Sequence, residues 1–163
     1  FHTYLTSVGA NACLNLNLPP NRDGLIDERD VARLKELGAL IRQELGEAIP
    51  ASVHKQEGHG RTQPVYTITL DQPRENINYV VLREDIARGQ RVESFRILAE
   101  FDSGNQYPLY QGTCIGNKKI CQLQDPFAGQ NPLTDDSQPE IRRLKVQITA
   151  ARDEVLMKEI LVY

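Results

Sequence analysis

The chain has 163 residues, 40% of them hydrophobic, which is enough to bury the core of one ordinary globular domain. No stretch approaches the ~18 apolar residues of a membrane span, and no basic region followed by an apolar stretch predicts a signal peptide. The chain has 19 basic and 22 acidic side chains, and the basic ones are not clustered along the sequence. We therefore expect neither a nucleic-acid nor a membrane partner. A complete (β/α)₈ barrel needs about 250 residues and does not fit.

The first fifty residues predict a helix end, a strand, a loop and a second helix. Residues 1–8 are typical of the end of a helix that Gly9 closes, and in residues 13–18 the leucines alternate as they do in a strand. A loop rich in Pro, Asn and Gly follows. Asp27 then predicts the N-cap of a helix whose apolar residues recur at three- and four-residue spacings. Together these elements are typical of an α/β unit.

The rest of the chain predicts a β-sandwich. Residues 51–64 are polar and contain glycines, which indicates a linker or loop. Seven short strands with turn residues between them then follow, and no convincing helix. The predicted strands are 65–70, 79–82, 92–101, 109–115, 118–123, 141–150 and 157–163. Residues 125–138 predict a long loop of a kind that is often functional.

The cysteines and histidines allow structural interpretations as well as functional ones. Cys114 and Cys121 are close enough in sequence to pair across a turn, or they are two reduced thiols in a small hydrophobic cluster. His54 and His59 could bind a metal ion by chance, but we expect both side chains to be exposed to solvent without a metal. No motif of a nucleophilic hydrolase, phosphate-binding loop or zinc protease occurs, so we predict no metal and no cofactor.

Four blocks of sequence resemble the C-terminal part of the glycoside hydrolase family 29 α-L-fucosidases. Residues 14–26 (LNLNLPPNRDGLI), with 31–38 (VARLKELG), resemble the last strand, loop and helix of the catalytic barrel. The blocks that resemble the β-sandwich domain following that barrel are 80–86 (VVLREDI) with 89–95 (GQRVESF), 112–120 (GTCIGNKKI) and 159–163 (EILVY).

The resemblance implies a mainly β fold, a galactose-binding-like jelly-roll β-sandwich preceded by the last strand and helix of an incomplete (β/α)₈-type barrel. The implied domains are a terminal barrel segment at 1–50, a linker or loop at 51–64 and the sandwich at 65–163. The implied activity is retaining hydrolysis of terminal α-L-fucosyl residues from glycoconjugates. The catalytic nucleophile of the family lies on a mid-barrel strand, so no catalytic residue is assigned here and the chain alone is expected to be inactive.

Active sites of barrels lie at the C-terminal ends of the strands. Asn17, Asn21, Arg22 and Asp23 therefore form the candidate substrate-proximal loop, with a structural turn before the helix as the favoured alternative. The implied partners are the remainder of the barrel, in the same or another chain, and a fucosylated glycan; a homo-oligomer is a further option. The resemblance also implies a secreted, periplasmic or extracellular location.

A stand-alone carbohydrate-binding, adhesion or structural module is the alternative function. Sugar-binding platforms use exposed aromatic faces, and the chain has no Trp and an aromatic content of 6%. The remaining candidates for stacking on a sugar are Tyr66, Tyr79, Tyr107, Tyr110 and Phe127.

Overall fold

The computed structural model describes residues 1–101, 104–124 and 140–163. The long loop predicted at 125–138, including Phe127, lies outside the described residues. In the described part of the chain no helix is long and apolar enough to cross a membrane.

Two helices precede the strands. Helix α1 spans His2–Thr6 and helix α2 spans Glu28–Leu45, with a short 3₁₀ turn at Ile86–Arg88 between strands. The strands are β1 Ala51–Gly58, β2 Gly60–Arg74, β3 Tyr79–Glu84, β4 Val92–Glu100, β5 Gln106–Gly112, β6 Lys119–Gln122, β7 Ile141–Ala151 and β8 Met157–Val162.

The strands form two antiparallel sheets that enclose the core. One sheet has the order β1-β2-β7-β4-β5 and the other has the order β6-β3-β8. Side chains from both sheets are fully buried between them, among them Ile68, Leu82, Phe95, Leu144 and Val146. This architecture confirms the predicted mainly β sandwich.

Sequence patterning located seven of the eight described strands of the sandwich. Each of the seven strands predicted between residues 65 and 163 overlaps an observed one, and β7 shows why. Its Leu144, Val146 and Ile148 are buried in the core, whereas the residues between them reach solvent. Strand β3 is apolar from Tyr79 to Leu82 because both of its faces are covered there: Val80 and Leu82 face the core, and Tyr79 and Val81 belong to a second cluster.

The prediction of a linker or loop at residues 51–64 is wrong. These residues form β1 and the start of β2, a hairpin in which Ser52 pairs with Thr69 and His54 with Thr67. Strand β1 is an edge strand that is exposed over almost all its length, so polar side chains occupy both of its faces. Without a buried face there is no alternation of hydrophobicity to predict a strand.

The strand predicted at residues 13–18 is not formed. The segment is irregular and mostly exposed, with Leu14 and Leu18 half-buried and Leu16 exposed. A strand of a parallel barrel takes its hydrogen bonds from parallel neighbours. Every strand pairing among the described residues is antiparallel, so no such neighbour is present.

The N-terminal segment packs against the outer face of the three-stranded sheet. Phe1, Tyr4 and Leu5 of the α1 region contact the cluster of Tyr79, Val81 and Ile120, as does Leu45 at the end of α2. The ring of Phe1 meets that of Tyr79 edge to face, with centroids 6.2 Å apart. Apart from its last residue, helix α2 has no such packing partner among these contacts.

Candidate functional site

The loop before α2 is built around Asn21. Its side-chain oxygen accepts hydrogen bonds from the backbone N–H groups of Asp23 and Leu25, both at 2.9 Å. Its own backbone N–H donates to the Leu25 carbonyl at 2.7 Å, and Gly24 adopts a left-handed φ of 77°. This is the local pattern by which Asn stabilises a turn, so Asn21 shapes the loop.

The other members of the candidate substrate-proximal loop lie on the surface. Asn17, Arg22 and Asp23 are all exposed. The structure therefore gives Asn21 a structural role and leaves the other three side chains accessible to a partner or substrate.

Asp27 begins helix α2 as predicted. Its carboxylate accepts from the backbone N–H of Arg29 at 2.9 Å and from the Arg29 Nε at 3.0 Å. The hydrogen bond from the Arg29 side chain, followed by that from its backbone, lowers the pKa of Asp27. The carboxylate is thus used as a helix cap.

The apolar side of α2 and the segment before it have little cover. No residue of α2 is buried, although Val31, Leu34, Leu37 and Ile41 lie at helical spacing. The exposed large apolar side chains of this region are Leu25 at 66%, Leu16 at 46%, Ile26 at 44% and Leu40 at 36%. An amphipathic helix normally buries its apolar stripe, so this surface is suited to contact with further protein.

The cysteines follow the reduced-thiol alternative. All three are free: Cys13 is exposed, Cys114 half-buried and Cys121 buried. The alternative, a Cys114–Cys121 disulfide, is not formed: Cys121 faces the core from β6, where burial raises the pKa of its thiol to about 12. Cys114 lies in the connection between β5 and β6, outside both strands. A buried thiol of this kind behaves as a small hydrophobic side chain.

His54 and His59, the two histidines considered as metal ligands, lie in the hairpin of β1 and β2. His54 is in β1 and His59 is in the turn between β1 and β2. Among the described residues no group of three or more His, Cys, Asp and Glu side chains could hold a metal ion.

Most of the aromatic candidates for sugar stacking are used in packing. Tyr66 and Tyr79 are buried, and Tyr110 is half-buried against Phe95, with ring centroids 5.8 Å apart. Tyr107 remains 37% exposed, but its ring meets Phe101 edge to face.

A groove that the sequence did not predict opens between the edge strands of the two sheets. It has a volume of about 790 Å³ and lies between β1 on one side and β8 on the other. Val53, Tyr66 and Met157 supply apolar surface, and Lys55 and Asp85 supply charges. Burial, followed by the charge of Glu84, raises the pKa of Tyr66 to about 12, so its hydroxyl stays protonated. Only recognition of β1 as a strand could have revealed this groove.

The fold and these surfaces define a class: a β-sandwich preceded by a helical segment that leaves large apolar side chains exposed. Comparisons with known proteins specify it. α-L-Fucosidase 1 of Arabidopsis thaliana is 28% identical over 98% of this chain, which covers 35% of that protein. The chain thus spans about a third of this curated relative. No protein-family model matches the chain.

Solved structures give the same result. A Ruminococcus gnavus GH29 fucosidase in complex with fucose is 25% identical over 99% of this chain and 35% of its own, with a TM-score of 0.79. A glycoside hydrolase 29 family member from a rumen bacterium is 25% identical over 99% of this chain and 27% of its own, with a TM-score of 0.76. The chain is therefore similar to the C-terminal part of family 29 α-L-fucosidases.

Proposed function

We propose that this chain is the C-terminal portion of an α-L-fucosidase-like glycoside hydrolase and works together with a catalytic barrel that other residues supply. The exposed large apolar side chains between residues 16 and 40 are the observation that carries the proposal. A barrel packed there would bury that surface, and burial contributes about 25 cal/mol per Å². The similarity to about a third of larger fucosidases supports the same assignment.

In this proposal the chain supports catalysis without performing it. A retaining glycosidase needs two carboxyl groups about 5 Å apart across the scissile bond, and no residue here is assigned to either role. Residues 13–18 would become the last barrel strand once they meet a neighbouring strand. Asn17, Arg22 and Asp23 would then lie at the strand end that faces the substrate, on a loop shaped by Asn21.

The substrate of the assembled enzyme would be a glycan with a terminal α-L-fucosyl residue. Such glycans are mostly on cell surfaces and secreted proteins, so we assign the protein to a secreted, periplasmic or extracellular location. The division into a barrel segment, 1–50, and a sandwich belongs to the same proposal, with the start of the sandwich moved from residue 65 to residue 51 because β1 begins at Ala51.

Immunodepletion tests the proposal in the source organism. Antibodies raised against the 163-residue chain should remove α-L-fucosidase activity, assayed with 4-nitrophenyl α-L-fucoside, from an extract. β-Galactosidase activity in the same extract is the control and should stay in the supernatant. The proposal fails if the fucosidase activity stays in solution while the antibody quantitatively removes the chain.

Carbohydrate binding by the sandwich itself is a second candidate, which the groove between β1 and β8 favours. Its walls combine apolar surface with Lys55, Asp85 and the Tyr66 hydroxyl, a mixture suited to a sugar ring and its hydroxyl groups. Titration of the isotope-labelled chain with L-fucose should then shift the amide resonances of β1 and β8. The variant Lys55→Ala should weaken those shifts, and Lys35→Ala, on α2, should leave them unchanged. Absence of shifts in the groove removes this candidate.

A further inference from the structure

A cluster of contacts fixes the turn after α1 to two loops of the sandwich. The turn comprises Gly9, Ala10 and Asn11, and the two loops are 89–91, before β4, and 115–118, before β6. The backbone N–H of Ile120 donates to the carbonyl of Gly9 at 2.8 Å, and Ala10 forms an isolated bridge with Lys119. The turn thus extends the pairing of the three-stranded sheet beyond β6.

Asn11 connects both loops from the outside. Its side-chain oxygen accepts from the backbone N–H of Asn117 at 2.7 Å, and its side-chain nitrogen donates to Gln90 Oε1 at 3.2 Å. Asn11 has a φ of 65°, a conformation that Asn tolerates better than most residues with a side chain. In this conformation the side-chain amide reaches both loops.

Glu84 connects the same two loops from the inside. One oxygen of this buried carboxylate accepts from the backbone N–H groups of Arg91 and Val92, at 3.0 and 3.1 Å. The other oxygen accepts from the backbone N–H of Gly116 at 2.7 Å. The two loops are therefore held between a buried carboxylate and a surface amide.

Asn11 packs so closely against Gly116 that position 116 has no room for a side chain. Gly116 has a φ of 64°, and a Cβ placed there would lie 2.2 Å from the Asn11 Nδ2. Lys118 adds a contact to the preceding helix, because its Nζ donates to the Tyr4 hydroxyl at 2.9 Å. These contacts join the N-terminal segment to the sandwich at one defined place.

We infer that Asn11 is a positioning residue. Together with Gly116 and Asn117 it forms a latch that fixes where residues 13–27, with the candidate substrate-proximal loop, leave the β-sandwich. The importance of the latch for a substrate rests on the proposed function, but the latch itself is a property of this chain. The sandwich would thus set the position of the loop in addition to supporting it.

Amide hydrogen exchange of the 163-residue chain tests the latch without any assay of fucosidase activity. Asn11→Gly relieves the backbone strain and removes the side-chain acceptor, so the Asn117 amide should exchange about tenfold faster or more. Asn11→Asp keeps the acceptor and should retain the protection of Asn117. The core amides of Ile97 and Val146 should not change in either variant.

A double-mutant cycle gives a second, independent measurement. Gly116→Ala should lower the denaturant midpoint of unfolding, and by less when Asn11 is already Gly, because the clash with the Asn11 amide is then absent. The latch is refuted if the two substitutions are additive and the Asn117 amide exchanges at the same rate in Asn11→Gly as in the wild type. It is also refuted if Asn11→Gly accelerates the core amides as much as Asn117. If the fucosidase activity stays in solution after immunodepletion while the exchange and unfolding measurements support the latch, only the proposed function is refuted.

Discussion

At the scale of single residues, the two carboxylates that are buried in the described part of the chain stabilise the sandwich in different ways. Glu84 accepts hydrogen bonds from three backbone N–H groups. Glu100 instead lies on the outer face of the five-stranded sheet, where it pairs with Arg143 and Lys145. A buried polar group is tolerated when its hydrogen bonds are satisfied. Substitution of each carboxylate should therefore change the stability of the chain in a different way.

Replacing Glu84 with Gln should destabilise the chain by about 1–3 kcal/mol. The Gln amide can accept at one end only, so its NH₂ group would face either the Gly116 N–H or the N–H groups of Arg91 and Val92. Urea unfolding monitored by circular dichroism measures the loss. Glu93→Gln is the control, because Glu93 forms an exposed ion pair with Arg152 at 2.8 Å, and its loss should cost at most about 1 kcal/mol. Equal losses in the two variants would contradict the prediction.

The contribution of Glu100 should depend on pH. The hydrogen bond from Lys145, with the nearby charges of Lys145 and Arg143, lowers the pKa of Glu100 below its ordinary value of 4.5. Because the folded pKa is the lower one, the stabilisation is present above about pH 4.5 and is lost as the pH falls through the folded pKa. Glu100→Gln should therefore be less stable than wild type at pH 7, with a difference that shrinks towards pH 3. Denaturation at several pH values measures it, and a pH-independent difference would contradict the assignment.

The three thiols should react in the order of their exposure. Iodoacetamide at pH 8 should alkylate Cys13 first and Cys114 more slowly, and it should reach Cys121 only after unfolding, because burial raises the pKa of that thiol to about 12. Mass spectrometry of the chain alkylated in denaturant without reductant should find three added groups. One added group would instead indicate a Cys114–Cys121 disulfide.

At the scale of elements, hydrophobic periodicity predicted the strands that have a buried face. It failed for an exposed edge strand and for a segment that has no neighbouring strand to pair with. In β7, buried residues such as Val146 alternate with polar ones because one face of the strand packs on the core and the other reaches solvent, so this strand was predictable. Strand β1 was not predictable, since its side chains reach solvent on both faces. Residues 13–18 have the pattern of a strand without the partner that a strand requires. The Asn21 turn could be predicted because its hydrogen bonds are local in sequence. The latch could not be predicted, because Asn11 and Asn117 are more than a hundred positions apart.

Glycines in two elements should respond in opposite directions to the same substitution. Gly38 is inside α2, where a Cβ would meet only the Arg42 Nη1 at an ordinary 3.5 Å, so Gly38→Ala should stabilise the chain by about 0.5–1 kcal/mol. Gly60 begins β2 with a φ of 85°, so Gly60→Ala should destabilise it by about 1–2 kcal/mol, even though nothing lies near its Cβ position. Thermal unfolding of the pair checks both signs. A loss in Gly38→Ala would show that α2 does not behave as a regular helix.

At the scale of the whole molecule, the apolar surface is divided unevenly. The sandwich closes over its own core, with side chains such as Phe95 and Leu144 fully buried. The segment from Leu16 to Leu40 instead holds four of the exposed large apolar side chains. A segment that exposes several large apolar side chains is suited to being covered by another part of a protein.

The isolated chain should therefore bind 8-anilinonaphthalene-1-sulfonate and self-associate with rising concentration. The triple variant Leu16→Gln, Leu25→Gln and Leu40→Gln should reduce both effects, because it removes exposed apolar area without touching the sandwich core. Fluorescence and size-exclusion chromatography measure the two effects, and circular dichroism verifies the fold. The matched control is Val53→Gln with Ile86→Gln, which removes exposed apolar side chains from the sandwich itself and should change little. A monomeric chain that binds no dye, or an equal effect of the control, would show that residues 16–40 form no docking surface.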